Sequence, residues 1–204
     1  MLTALLGFAA ASALIVMLPG PDTLVVVRNM LRGGRRGATS AAAGVLAGLL
    51  VWVVAVSLGL SAIVTASHTG YTVLRYLGGA YLIWIGAQAV RSRMRDHAEI
   101  PAPSRPILGS GFVAGFATDL LNPKVGVFFV SFLPAFVPRG ADVGTASLAF
   151  GAVFVVETLV YFALLIRVAD RVVAWMTDAR RRRLLDRLAG VVFIGFGVRL
   201  ATET

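Results

Sequence analysis

Of the 204 residues, 58% are apolar and 14% charged, with a mean hydropathy of +0.85; a soluble domain carries roughly 45–50% apolar and about 25% charged residues. So few charges cannot cover a water-facing surface, which excludes an ordinary soluble enzyme and a disordered tail and points to an integral membrane protein. The net charge of +9 would suggest nucleic acid in a soluble chain, but in a membrane protein it reads as basic residues gathered in cytoplasmic loops, with no nucleic acid partner.

Six stretches are long and apolar enough to span a bilayer. They run near Leu2–Met30, Ala38–Ala66, Thr72–Val90, Ile107–Phe136, Ala146–Val168 and Leu185–Ala201. The runs are continuously apolar rather than alternating, so they predict helices and not barrel strands. Residues 1–27 contain no Lys or Arg, unlike a signal peptide with its basic leading region. A basic flank only on the far side describes a first helix with its N-terminus outside.

The arginines fall into three loops. Arg28, Arg32, Arg35 and Arg36 follow the first span. Arg91, Arg93, Arg95 and Arg105 follow the third. Arg167, Arg171, Arg180–Arg183 and Arg187 follow the fifth. Fifteen of the 19 basic residues thus share one side, against Arg75, Arg139 and Arg199 on the other. This predicts a multi-pass protein of the cytoplasmic (inner) membrane with both termini outside. The stretch Asp170–Asp186 reads equally as a helix on the inner leaflet or as a charged loop.

The two halves of the chain match. Gly7-Phe8 precedes Pro19 by the same spacing as Gly111-Phe112 precedes Pro123. Ser40, Ala42 and Gly44 align with Ser147, Ala149 and Gly151, and Leu77, Gly79 and Gly86 with Leu188, Gly190 and Gly197. Each half holds three spans, an odd number, so the second enters the membrane from the opposite side. The expected fold is all-α, with six transmembrane helices as two inverted three-helix repeats, residues 1–100 and 101–204. Such repeats are common in secondary transporters, whose substrate lies at the midplane where broken helices meet.

Both first helices carry a breaking motif. Helix one contains Leu18-Pro19-Gly20-Pro21-Asp22, and helix four Asp119-Leu120-Leu121-Asn122-Pro123-Lys124. The prolines remove backbone donors and clash with the preceding turn, and Asn122 can cap the helix that restarts. Asp22, Asp119, Lys124 and Glu157 all fall inside spans, where a charge costs roughly 2.5–3.5 kcal/mol at a helix centre. Residues this costly face a cavity or a partner. Lys124 is the single lysine. It suits a point contact to a substrate carboxylate, or a structural pairing with Asp22 or Asp119.

A transport mechanism follows from these charges. Restarted helices offer unpaired N–H groups and a positive dipole end to a carboxylate. Asp22, Asp119 or Glu157 would receive an ammonium, so the site suits a zwitterion. A carboxylic acid held in low dielectric favours its protonated form, which makes Asp22, Asp119 and Glu157 the candidates for proton coupling. Gly44-x-x-x-Gly48 reads as helix packing. Tyr81, Trp84, Phe128, Phe129 and Tyr161 read as lipid anchors or core, and Gly33-Gly34-Arg35-Arg36-Gly37 as a cytoplasmic turn, without the Lys-Ser/Thr pair of a phosphate loop.

The chain resembles the LysE/RhtB amino-acid exporters. The likeness rests on Pro19-Gly20-Pro21-Asp22, Gly34-Arg35-Arg36-Gly37, Gly79-Ala80-Tyr81-Leu82 with Gly86, and Asn122-Pro123-Lys124 followed by Phe128-Phe129 and Leu133-Pro134-x-Phe136. It covers essentially the whole chain in order. The resemblance implies a six-helix, proton-driven exporter of amino acids or related metabolites. It points to Pro19, Gly20, Pro21, Asp22, Asn122, Pro123 and Lys124 as substrate-binding residues. Asp119 and Glu157 come from the charge argument instead. The substrate itself does not carry over, since members handle threonine, homoserine, leucine or basic amino acids. The implied partners are a small zwitterionic amino acid, protons and the lipid bilayer, and a homo-oligomer is left open.

The alternative is a transporter of a metal ion or inorganic anion on the same scaffold. Metal export normally wants Cys, His or clustered carboxylates. The chain has no cysteine, and His68 and His97 fall in loops, so no metal site and no cofactor are expected. No HExxH motif is present, and Gly109-Ser110-Gly111 has no membrane histidine as base. The reading is therefore not an enzyme.

Overall fold

A computed structural model describes residues 1–66, 110–138 and 140–168, with single positions 73, 76, 80, 83, 84, 87, 187, 191, 194, 195, 197 and 198. The regular elements among the described residues are all helical. In chain order they are α1 (Leu2–Met17), α2 (Pro21–Ala66), α3 (Phe112–Leu120), α4 (Pro123–Val127), a π-helical turn (Phe128–Phe132), a 3-10 turn (Leu133–Phe136) and α5 (Val143–Arg167). By length and apolarity α2 and α5 can each cross a membrane. The α3 helix and the segment Pro123–Phe136 form a third candidate span, bent by 50° at the break.

The expected third span Thr72–Val90, the sixth span Leu185–Ala201, the arginine loop at 91–105 and the stretch Asp170–Asp186 lie outside the described residues apart from the single positions above. Those positions are helical. The third pair of repeat matches lies there too, as do His68 and His97.

Helix one is broken as its prolines dictate. Leu18 takes an extended conformation at the end of α1 (φ −78°, ψ 112°), because the residue before a proline is pushed out of the helical region. The chain restarts at Pro21, whose missing N–H and fixed φ suit the first helical position, and Asp22 complements the positive end of α2. The second break repeats this logic. Asn122 is extended (φ −77°, ψ 108°), Pro123 opens α4, and the Asn122 side chain accepts the Lys124 backbone N–H at 3.0 Å.

The turn expected after helix one is shorter than a loop. Only Gly33 and Gly34 leave helical geometry, and the helix resumes at Arg35. Gly34 sits at φ 59°, ψ −153°, a region open essentially to glycine alone. The arm of α2 after this kink packs on α3 with backbones in contact. A Cβ on Gly44 would lie 2.0 Å from the Phe112 carbonyl oxygen, and one on Gly115 equally close to that of Ala41. Small residues are what permit such approach.

Among the described residues two apolar clusters fill the interior. One surrounds Phe8, fully buried, whose ring lies 4.9–6.2 Å from those of Phe128, Phe132, Phe136 and Phe150. Phe128 and Phe129 belong to this core. The other joins Val26, Met30 and Val45 of α2 to Phe162 and Leu165 of α5. Leu6, Leu14, Leu50, Val54, Leu159 and Leu164 point outward, an apolar exterior compatible with a membrane protein. At the head of α5, exposed Asp142 accepts the Thr145 backbone N–H at 2.8 Å and its hydroxyl at 2.7 Å. These bonds hold the Asp142 carboxyl below the usual carboxylate range.

Candidate functional site

The two breaks meet. The Asn122 amide donates to Asp22 Oδ2 at 2.6 Å. The Lys124 ammonium reaches the end of α1 and donates to the carbonyl oxygens of Ile15 at 2.9 Å and Leu18 at 2.8 Å. Those carbonyls lie at the C-terminal end of α1, where the dipole is negative; that of Ile15 also accepts the Leu18 backbone N–H at 3.2 Å. Lys124 therefore ties the two breaks through backbone acceptors, whereas the structural alternative read from the sequence was a pairing with Asp22 or Asp119.

A cavity opens beside this junction. Gly20, Asp22, Thr23, Lys124, Thr158 and Tyr161 line its polar part, with Phe128, Phe154 and Phe162 on the apolar side. Its volume is about 40 Å³, room for a few waters at roughly 10–15 Å³ each. The Asn122 contact leaves Asp22 Oδ1 buried without a hydrogen-bond partner. A lysine ammonium has three donors, and the two carbonyls take two of them. Among the described residues, the cavity wall thus offers a third ammonium N–H beyond those two bonds and a carboxylate oxygen without a donor.

The residues singled out from the sequence divide by position. Gly20, Asp22 and Lys124 line the cavity, while Pro19, Pro21, Asn122 and Pro123 build the breaks around it. Asp119 lies away from the cavity wall. It is fully buried, its two carboxylate oxygens lack hydrogen-bond partners, and it packs against Gly48. Glu157 is half-buried on α5 and accepts the Ser12 hydroxyl of α1 at 2.6 Å.

Four polar residues escaped the sequence reading. Thr23 and Tyr161 join across the cavity, with their hydroxyl oxygens 3.3 Å apart, so Tyr161, whose ring packs against the core, also presents its hydroxyl to the cavity. Thr158 lines the wall with its hydroxyl donating to the Phe154 carbonyl. Ser12 holds Glu157. Hydroxyls barely alter hydropathy, so the available signal was only that Thr23 follows Asp22 and Thr158 follows Glu157, with nothing to single out Ser12 or Tyr161.

Residues 13–204 match the family model described as LysE type translocator. The chain belongs to the LysE-type translocator family. It is 32% identical to a threonine efflux protein of Escherichia coli K12, covering 98% of each chain. It is 30% identical to a leucine efflux protein of Enterobacter sp. strain 638, covering 96% of this chain and 93% of that one. It is 27% identical to an uncharacterized membrane protein of Bacillus subtilis, over 96% and 97%. No solved structure matches. As a LysE-type translocator the protein is a membrane transporter and not an enzyme. In this LysE-type translocator both breaking motifs, Pro19-Gly20-Pro21-Asp22 and Asn122-Pro123-Lys124, fall within the matched region.

Proposed function

We propose that this translocator is a proton-coupled exporter of small amino acids, with its substrate site at the cavity where the breaks of helices one and four meet. The observation that carries the reading is that pair of groups on one cavity wall, a Lys124 N–H and Asp22 Oδ1. A zwitterion has a complement for each, its carboxylate for Lys124 and its ammonium for Asp22. The names of the threonine and leucine efflux relatives support the same substrate class. The substrate enters as the halves move apart.

In this account the chain forms two inverted three-helix repeats, 1–100 and 101–204, in the cytoplasmic membrane with both termini outside. Pro19, Pro21, Asn122 and Pro123 keep the breaks open, and Gly20 lies beside the lysine stem. Asp22, Asp119 and Glu157 are the candidates for carrying the coupled proton. Burying an unpaired carboxylate charge costs several kcal/mol, so each of these acids exchanges its charge for a proton when no cation faces it.

The test is counterflow of radiolabelled amino acids in proteoliposomes, with and without a pH gradient. Threonine, leucine or a close analogue should exchange, and efflux should rise with the gradient. Asp22→Asn should lower exchange by about tenfold or more, the loss expected for a charged hydrogen bond. Undiminished exchange by that variant would remove Asp22 from the site, and no exchange across the whole panel would move weight to a metal ion or inorganic anion.

A further inference from the structure

Transporters with broken helices commonly place a coupling cation on the carbonyls of a half-helix C-terminus. Here that place is taken. The Lys124 ammonium lies between the carbonyl oxygens of Ile15 and Leu18, at 2.9 and 2.8 Å. Its stem crosses the break beside Gly20, where a Cβ would stand 3.6 Å from both Cδ and Nζ. Asp22, on the same cavity wall, supplies a nearby negative charge, and Asn122 fixes that carboxylate from the opposite side. Carbonyls from a helix end, an acidic side chain and a small cavity are what a monovalent cation would otherwise use.

We infer that Lys124 is a tethered cation, filling the site where a free alkali ion would bind and making transport independent of sodium. Its covalent link to α4 keeps a cation at the junction of the two breaks at every salt concentration, whereas a free ion would come and go. The role rests on the exporter reading above for its transport arm only.

The experiment compares the wild type with Lys124→Ala in two readouts. The first is thermal unfolding of the purified protein in choline, sodium or n-propylammonium chloride, the last replacing the atoms the substitution removes. The wild type should melt at the same temperature in all three. Lys124→Ala should melt several degrees lower in choline and regain part of that loss in sodium or propylammonium. A variant as stable as the wild type, or one that no cation restores, would overturn the proposal. If Lys124→Ala does not fold, Lys124→Ser, which leaves the same space open to a cation, takes its place. The second readout needs no variant: wild-type counterflow in sodium and in choline buffers. Equal rates are expected, and dependence on sodium would overturn the tethered cation while leaving export intact. Cation rescue of Lys124→Ala stability with no amino-acid exchange by the wild type would instead sink the exporter reading and leave the cation role standing.

Discussion

Asn122 has two tasks that a single substitution cannot separate but a pair can. Its Oδ1 caps α4 and its amide holds Asp22. Asn122→Ala removes both, and the cap alone is worth about 0.5–2 kcal/mol. Its melting temperature and its exchange rate should both fall. Asn122→Ser keeps a capping oxygen but removes the amide that donates to Asp22. That variant should stay nearer wild-type stability and still lose exchange. If Asn122→Ser transports normally, the Asn122–Asp22 bond has no part in function. At this scale the ionisable residues were readable from the chain, because a charge in an apolar run stands out. The partners of Lys124 were not. They are backbone carbonyls of Ile15 and Leu18, and no side-chain identity announces them.

Between elements, the contact of α2 with α3 sets the strictest packing limits. A Cβ on Gly48 would fall 2.5 Å from Asp119 Oδ2 and 2.9 Å from its Cβ, whereas one on Gly44 would strike the backbone of Phe112 and Phe116. Gly48→Ala should cost about 1–3 kcal/mol, typical of overpacking. Adding Asp119→Ala should restore part of that loss, since the clash is with a side chain. Gly44→Ala should cost more and gain nothing from Asp119→Ala. Additive losses in the Gly48–Asp119 double variant would refute the contact. The cap at α5 gives a pH prediction. The Asp142 carboxyl lies below its ordinary range when folded, so its stabilisation is complete above the unfolded carboxylate range and disappears as pH falls through the lower folded value. The stability gap between the wild type and Asp142→Ala should therefore be present at neutral pH and close in strong acid, as read by thermal melts. Both helix breaks were legible, since proline acts on its own backbone. The Gly33–Gly34 kink within α2 was read only as a turn, because hydropathy cannot say how few residues leave the helix.

For the whole molecule, composition and arginine placement carried the reading to a multi-pass membrane protein. The described helices are compatible with it, two of them long enough to span and a third pair bent at its break. The cavity itself was not legible. It forms where residues far apart in sequence meet, and Thr23, Thr158 and Tyr161 become its wall only when α2 and α5 pack together. The chain has no native cysteine, which makes site-directed labelling direct. Thr158→Cys places one thiol on the cavity wall, and its rate of modification by a small methanethiosulfonate reagent can be followed in proteoliposomes. If amino acids bind between the breaks, threonine or leucine slows labelling at the concentrations that saturate counterflow, and adding Asp22→Asn abolishes that protection. A labelling rate indifferent to every amino acid the protein exchanges would contradict a substrate site at this cavity.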